Sequence, residues 1–127
     1  MPPDTPFAYC VLRVVPDVER AEFLNAGLVL FARQAGFLEA RTRLDPERLR
    51  ALSPRCDCEP IARHLAALEL VAAGDPSGGP IARLEPSERF NWLAAPSSTV
   101  VQPSPVHTGV TDDPAAKLSA LFARLVS

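Results

Sequence analysis

The apolar residues of this chain follow two different periods. Up to residue 44 they alternate or run unbroken, as in strands, and beyond residue 45 they recur every three or four positions, as in helices. Residues 7–15 read as a strand with Ala8, Cys10, Leu12 and Val14 on a uniformly apolar face. Phe7, Tyr9, Val11 and Val15 make the other face nearly as apolar, with Arg13 the exception, so this strand belongs in the middle of a sheet. Pro16 ends it because proline cannot donate to a ladder, and Asp17 is placed to cap a short helical turn reaching about Phe23.

Residues 26–33 form a second apolar strand, and Gly36 marks a turn into a third over 37–44. The third alternates: Leu38, Ala40, Thr42 and Leu44 point to a core, while Glu39, Arg41 and Arg43 point to water. A short glycine-containing connection makes this pair a hairpin, so the sheet is at least partly antiparallel.

Asp45-Pro46-Glu47 then starts a short helix, with a capping aspartate, a proline in the first turn and an acid at the positive dipole end. A second helix begins near Glu59-Pro60, carries Ile61, Leu65, Leu68 and Ala72 on one stripe, and ends at Gly74. Residues 74–80 are rich in glycine, proline and serine and read as a flexible loop, as do residues 1–6 at the start. Residues 86–94 give another short helix with Phe90, Trp92 and Leu93. Residues 98–102 give a strand broken by Pro103 and Pro105, which places it at an edge. Asp113-Pro114 opens a last helix with Leu118, Leu121, Phe122 and Leu125 on one face. Strands, then helices, then a late strand and a closing helix is an α+β order. The expected fold is a small, largely antiparallel sheet of three to four strands packed against three to five helices.

The length of 127 residues fits one domain over 1–127 that can bury a core without disulfides or metal. A net charge of −2, and Lys117 as the single lysine, leave no basic face of the kind nucleic acid requires. The first residues carry no positively charged leader, and no apolar run approaches the ~20 residues that span a bilayer. Three cysteines without framework spacing suit reduced thiols, so a cytoplasmic location is expected. No glycine-rich phosphate or dinucleotide motif occurs, and no cofactor is expected.

Several residues could carry chemistry. Cys56 and Cys58 with His64 lack the spacing and the fourth ligand of a zinc site and read as thiols ahead of a helix. His64, at the margin of an apolar stripe, reads as a partly buried structural histidine. Ser98 or Ser104 with His107 and Asp112 or Asp113 has the residue types of a triad but no nucleophile elbow. Residues 88–109 are the most distinctive stretch. There Arg89 and Trp92 lead into a polar run containing Ser97, Ser98, Thr99, Gln102, Ser104 and His107. Three readings stand: a pocket for a polar or anionic ligand with Arg89 as its fork, a groove taking another protein's strand, or groups that satisfy one another around irregular backbone. The candidate binding residues are Arg89, Trp92, Ser98, Thr99, Gln102, Ser104 and His107, and His107, expected in a loop, is equally open to a structural or a functional role.

Tyr9 to Pro16, Glu22 to Phe31 and above all Ala95 to Gly109 make the chain resemble a family of bacterial proteins catalogued as domain of unknown function 3037. The resemblance covers nearly the whole length. Members usually carry Arg where this chain has Ser97, which counts against a pocket needing a cation there. The resemblance brings no catalytic residues or cofactor. It does suggest a partner: genes of this kind often neighbour serine/threonine kinases resembling persistence-type toxin kinases, so a kinase or another protein is the expected partner, with this chain as its accessory, substrate or regulator. An interaction or regulatory module is therefore the leading expectation, and an enzyme or small-ligand binder for an anionic molecule, acting through Arg89, Gln102 and His107, is the alternative. The sequence leaves the oligomeric state open.

Overall fold

The structure is a computed structural model that describes residues 4–126. Strands β1 (Thr5–Val14), β2 (Leu24–Ala32) and β3 (Phe37–Thr42) form an antiparallel meander, with Tyr9 opposite Leu30 and Val29 opposite Ala40. Gly36, at φ 64°, closes the β2–β3 turn in the left-handed region that glycine adopts without strain. Helices α1 (Pro46–Leu52), α2 (Cys58–Ala73) and α3 (Pro86–Ala94) follow, then β4 (Val101–Pro103), β5 (His107–Thr111) and α4 (Pro114–Leu125). The fold is α+β, with five strands instead of the three or four expected. β1 lies in the centre. β2 and then β3 flank one side, and β4 and β5 share the other, paired to the second and first halves of β1 respectively.

The pleat of β1 sends its side chains to two cores. Cys10, Leu12 and Val14 face α1, α2 and α3, packing with Leu49, Ile61, Leu65, Leu68, Val71, Phe90 and Leu93. Phe7 and Val11, with Leu28 and Leu30 of β2, face α4 through Leu118 and Leu121. The sheet is thus a middle layer, and both faces of β1 are apolar for that reason. Helix starts follow the Asp-Pro device: Asp45 accepts the N–H groups of Glu47 and Arg48, and Asp113 accepts that of Ala116. Among the described residues no helix is long and apolar enough to cross a membrane.

Four expectations need correction. Residues 16–21 form turns instead of a helix. Asp17 accepts from Glu19 N–H, but Ala21 adopts φ 59°, which no continuing helix allows. Thr5 and Pro6 belong to β1, whereas the rest of the N-terminal stretch, up to residue 3, lies outside the described residues. Glu39 and Arg41 lie on the α4 side of the sheet, half-exposed and paired with each other at 3.1 Å. The Arg41 guanidinium donates to Ser119 Oγ at 3.0 Å and lies over the Phe122 ring. His107, expected in a loop, opens β5 and pairs with Tyr9. Apart from these, the 74–80 connection holds the 3-10 turn Pro76–Gly78, capped by Asp75, and Pro80 opens a second, Pro80–Arg83.

Candidate functional site

Residues 88–109 were open to three readings, and the fold uses most of their polar groups internally. Arg89 lies against the end of α2. Its Nη1 donates to the carbonyls of Val71 and Ala72 at 3.1 and 2.7 Å, and its Nε donates to Leu84 O at 3.0 Å. A guanidinium there meets the last carbonyls of α2 and the negative end of its dipole. Gly74, at φ 70°, leaves the room: a Cβ at that position would lie 3.0 Å from Nη1. Arg89 therefore ties α2 to α3.

Ser104 is buried and completes the sheet. Its N–H donates to Val11 O at 2.8 Å, and its hydroxyl accepts the Val11 N–H at 2.8 Å while donating to Pro105 O at 2.9 Å. The chain shifts register by one residue between β4 and β5, and the Ser104 side chain supplies the acceptor that the ladder lacks there. Thr99 donates to Val101 O at 2.9 Å, so in its 2.8 Å contact with Ser97 the Ser97 hydroxyl is the donor. Ser97 Oγ in turn accepts the Thr99 N–H, and Gln102 Nε2 donates to Thr99 O. Ser98, between them, is exposed. Of the three readings of this stretch, the hydrogen bonds match groups that satisfy one another around irregular backbone.

His107 is exposed and its ring lies 5.3 Å from that of Tyr9. Arg89, Gln102 and His107 are thus held by three separate parts of the fold and do not converge. Ser104 is committed to Val11 and Pro105 and Asp113 caps α4, and among the described residues no hydrogen bond joins His107 to Ser98 or Asp112. Cys56 and Cys58 pack partly buried at the rim of the first core, and burial pushes the Cys56 thiol up. Cys10, inside that core, has its thiol pushed up to about 12 by burial and has no reactive character. Among the described residues no three His, Cys, Asp or Glu side chains gather as metal ligands.

A cleft of about 330 Å³ lies between α2, α3 and β4. Leu12, Leu68, Leu93, Val101 and Pro103 make its walls, and Trp92, Ala95, Pro96, Ser97, Thr99 and His64 its mouth. Trp92 is 44% exposed there. His64 is exposed instead of partly buried, because its position on α2 falls just outside the stripe of Ile61, Leu65 and Leu68. Since the Ser97 and Thr99 hydroxyls are committed, the imidazole and the indole N–H remain as its side-chain hydrogen-bonding groups. Sequence reasoning named Trp92 and Thr99 but missed His64 as a member of the site; its margin position on the helix was the available signal.

Residues 9–126 match a family model described as a protein of unknown function, DUF3037. The chain belongs to the DUF3037 family. No curated protein and no solved structure matches it. In this DUF3037 member the stretch carrying the strongest resemblance, residues 95–109, contains one lip of the cleft and the Ser104 bridge together, so its sequence answers to backbone repair as well as to any ligand.

Proposed function

We propose that this DUF3037 protein is an interaction or regulatory module of the bacterial cytoplasm that seats an apolar side chain of a protein partner in the cleft beside Trp92. The observation that carries this reading is the exposed indole standing next to an apolar hollow. Tryptophan is prominent among the residues that dominate interface energies, and a hollow of that size lies at the low end of the ~300–1,000 Å³ range of ligand pockets. With its hydroxyls turned inward, the cleft selects by shape and apolar area, and the His64 imidazole and the indole N–H serve as rim donors. The family resemblance supplies the partner class, a serine/threonine kinase of the persistence-toxin type. Three free thiols, two of them one residue apart, suit a reducing compartment. The alternative of an anion-binding enzyme needs Arg89, Gln102 and His107 around one ligand, and the geometry favours binding through the cleft instead.

Trp92 is the single tryptophan, so intrinsic fluorescence reports on the cleft directly. The test is to titrate the protein with such a kinase, compare wild type with Trp92→Ala in affinity capture, and follow the emission of the wild type. Capture by wild type, loss by Trp92→Ala with an unchanged melting temperature, and a blue shift on binding are expected. Equal capture by both proteins, or capture with unchanged emission, refutes the cleft as the contact.

A further inference from the structure

Among the described residues the β3 and β4 margins of the sheet are partly covered and the β5 margin is bare. On β3, the outward N–H of Thr42 donates to the Glu69 carboxylate at 3.3 Å, and α2 lies alongside. On β4, the outward carbonyl of Val101 accepts the Thr99 hydroxyl, and Pro103 has no N–H to offer. Charge, proline and side-chain cover are the usual ways of blunting a sheet edge. β5 has none of them. The odd-numbered residues of β1 direct their backbone groups to this side, as the Val11–Ser104 and Val15–Val100 bonds show. In an antiparallel ladder Tyr9, Phe7 and Thr5 therefore bond His107, Gly109 and Thr111, and Thr108 and Val110 turn their N–H and C=O groups outward.

The side chains on this margin are as open as its backbone. Val110 is 60% exposed and Val106 45%, and beside Val110 lies a broad hollow lined by Ala8 and Phe31, with Arg33 as its charged member. The strand from His107 to Thr111 contains no Lys, Arg, Asp or Glu.

The geometry points to a twofold dimer of this chain in which β5 pairs antiparallel with β5 of a second copy, the axis passing through Gly109. That register sets Thr108 opposite Val110 of the second copy and Val110 opposite Thr108, both as hydrogen-bonded pairs of β-branched residues. It sets His107 opposite Thr111 and Val106 opposite Asp112, so no like charges meet. At the axis, where opposed backbones come closest, both residues are glycine. A second copy is the occupant because the margin matches itself in this register. The inference does not depend on the cleft beside Trp92, which lies across β4.

The test is sedimentation equilibrium of the full chain over a range of concentration, paired with amide exchange at Thr108 and Val110. A dimer is expected, with both amides more protected as concentration rises. Val110→Lys should weaken it at least about tenfold by placing a charge on the edge, with the melting temperature unchanged. Thr108→Pro should do the same, since it removes an outward donor and no bond to β1. A chain that stays monomeric to about 1 mM overturns the inference, as does a dimer indifferent to both substitutions or to exchange at those amides.

Discussion

Two short strands complete the same side of β1, and they hold to it by opposite means. β4 and the residues around it are dense in polar side chains, and nearly every one is bonded back to main chain: Thr99 to Val101, Gln102 to Thr99, Ser104 to Val11 and Pro105. β5 has few such bonds and is held by its ladder and by packing, with the Phe7 ring set against Gly109 closely enough that a Cβ there would approach Cζ to 2.8 Å. The polar half, which looks like a polar binding site in the sequence, has few free donors or acceptors left and offers a ligand mainly the apolar walls of its cleft. The plain half keeps its backbone free. A high density of donors and acceptors therefore measures how irregular the backbone is, while readiness to bind appears where groups lack partners.

Substitutions on each half test that contrast. Ser104→Ala should have the largest effect, because it strands the buried Val11 N–H without an acceptor; a loss of about 2–3 kcal/mol is expected by urea unfolding. A loss below about 0.5 kcal/mol would mean that the hydroxyl is dispensable and would break the comparison. Gly109→Ala probes the other half, where the added methyl must displace the Phe7 ring in the α4-side core, at about 1–2 kcal/mol. Thr99→Val should cost about 1 kcal/mol, since it removes a partly exposed bond to Val101 O. It should also leave that carbonyl open on the edge, seen as new concentration-dependent association in light scattering.

The parts of this architecture that the sequence made legible are those whose apolar pattern is local. The β2–β3 hairpin, the stripe of Ile61, Leu65 and Leu68 on α2, the limits of α3 and the Asp113-Pro114 start of α4 all follow from spacing and caps. β5 did not, because His107, Thr108 and Val110 are exposed and its pairing is imposed by β1, about a hundred residues earlier in the chain. The turn after Pro16 was misread since a capping aspartate is compatible with a turn or a helix, and only the left-handed Ala21 decides between them. In the site, the exposed Trp92 and Thr99 could be named from sequence. The cleft walls come from Leu12, Leu68, Leu93 and Val101 on four elements, and no local pattern announces that they meet.

The Ser104 bridge bears on how the chain is made. Val11 waits for a partner 93 residues downstream, so during synthesis β1 can zip to β2 early, while its other side stays raw until the residues of β4 and β5 have emerged. For that interval the central strand, apolar on both faces, has an unmatched flank, and the nascent chain depends on β2, β3 and the first helices to keep it from sticking to its neighbours.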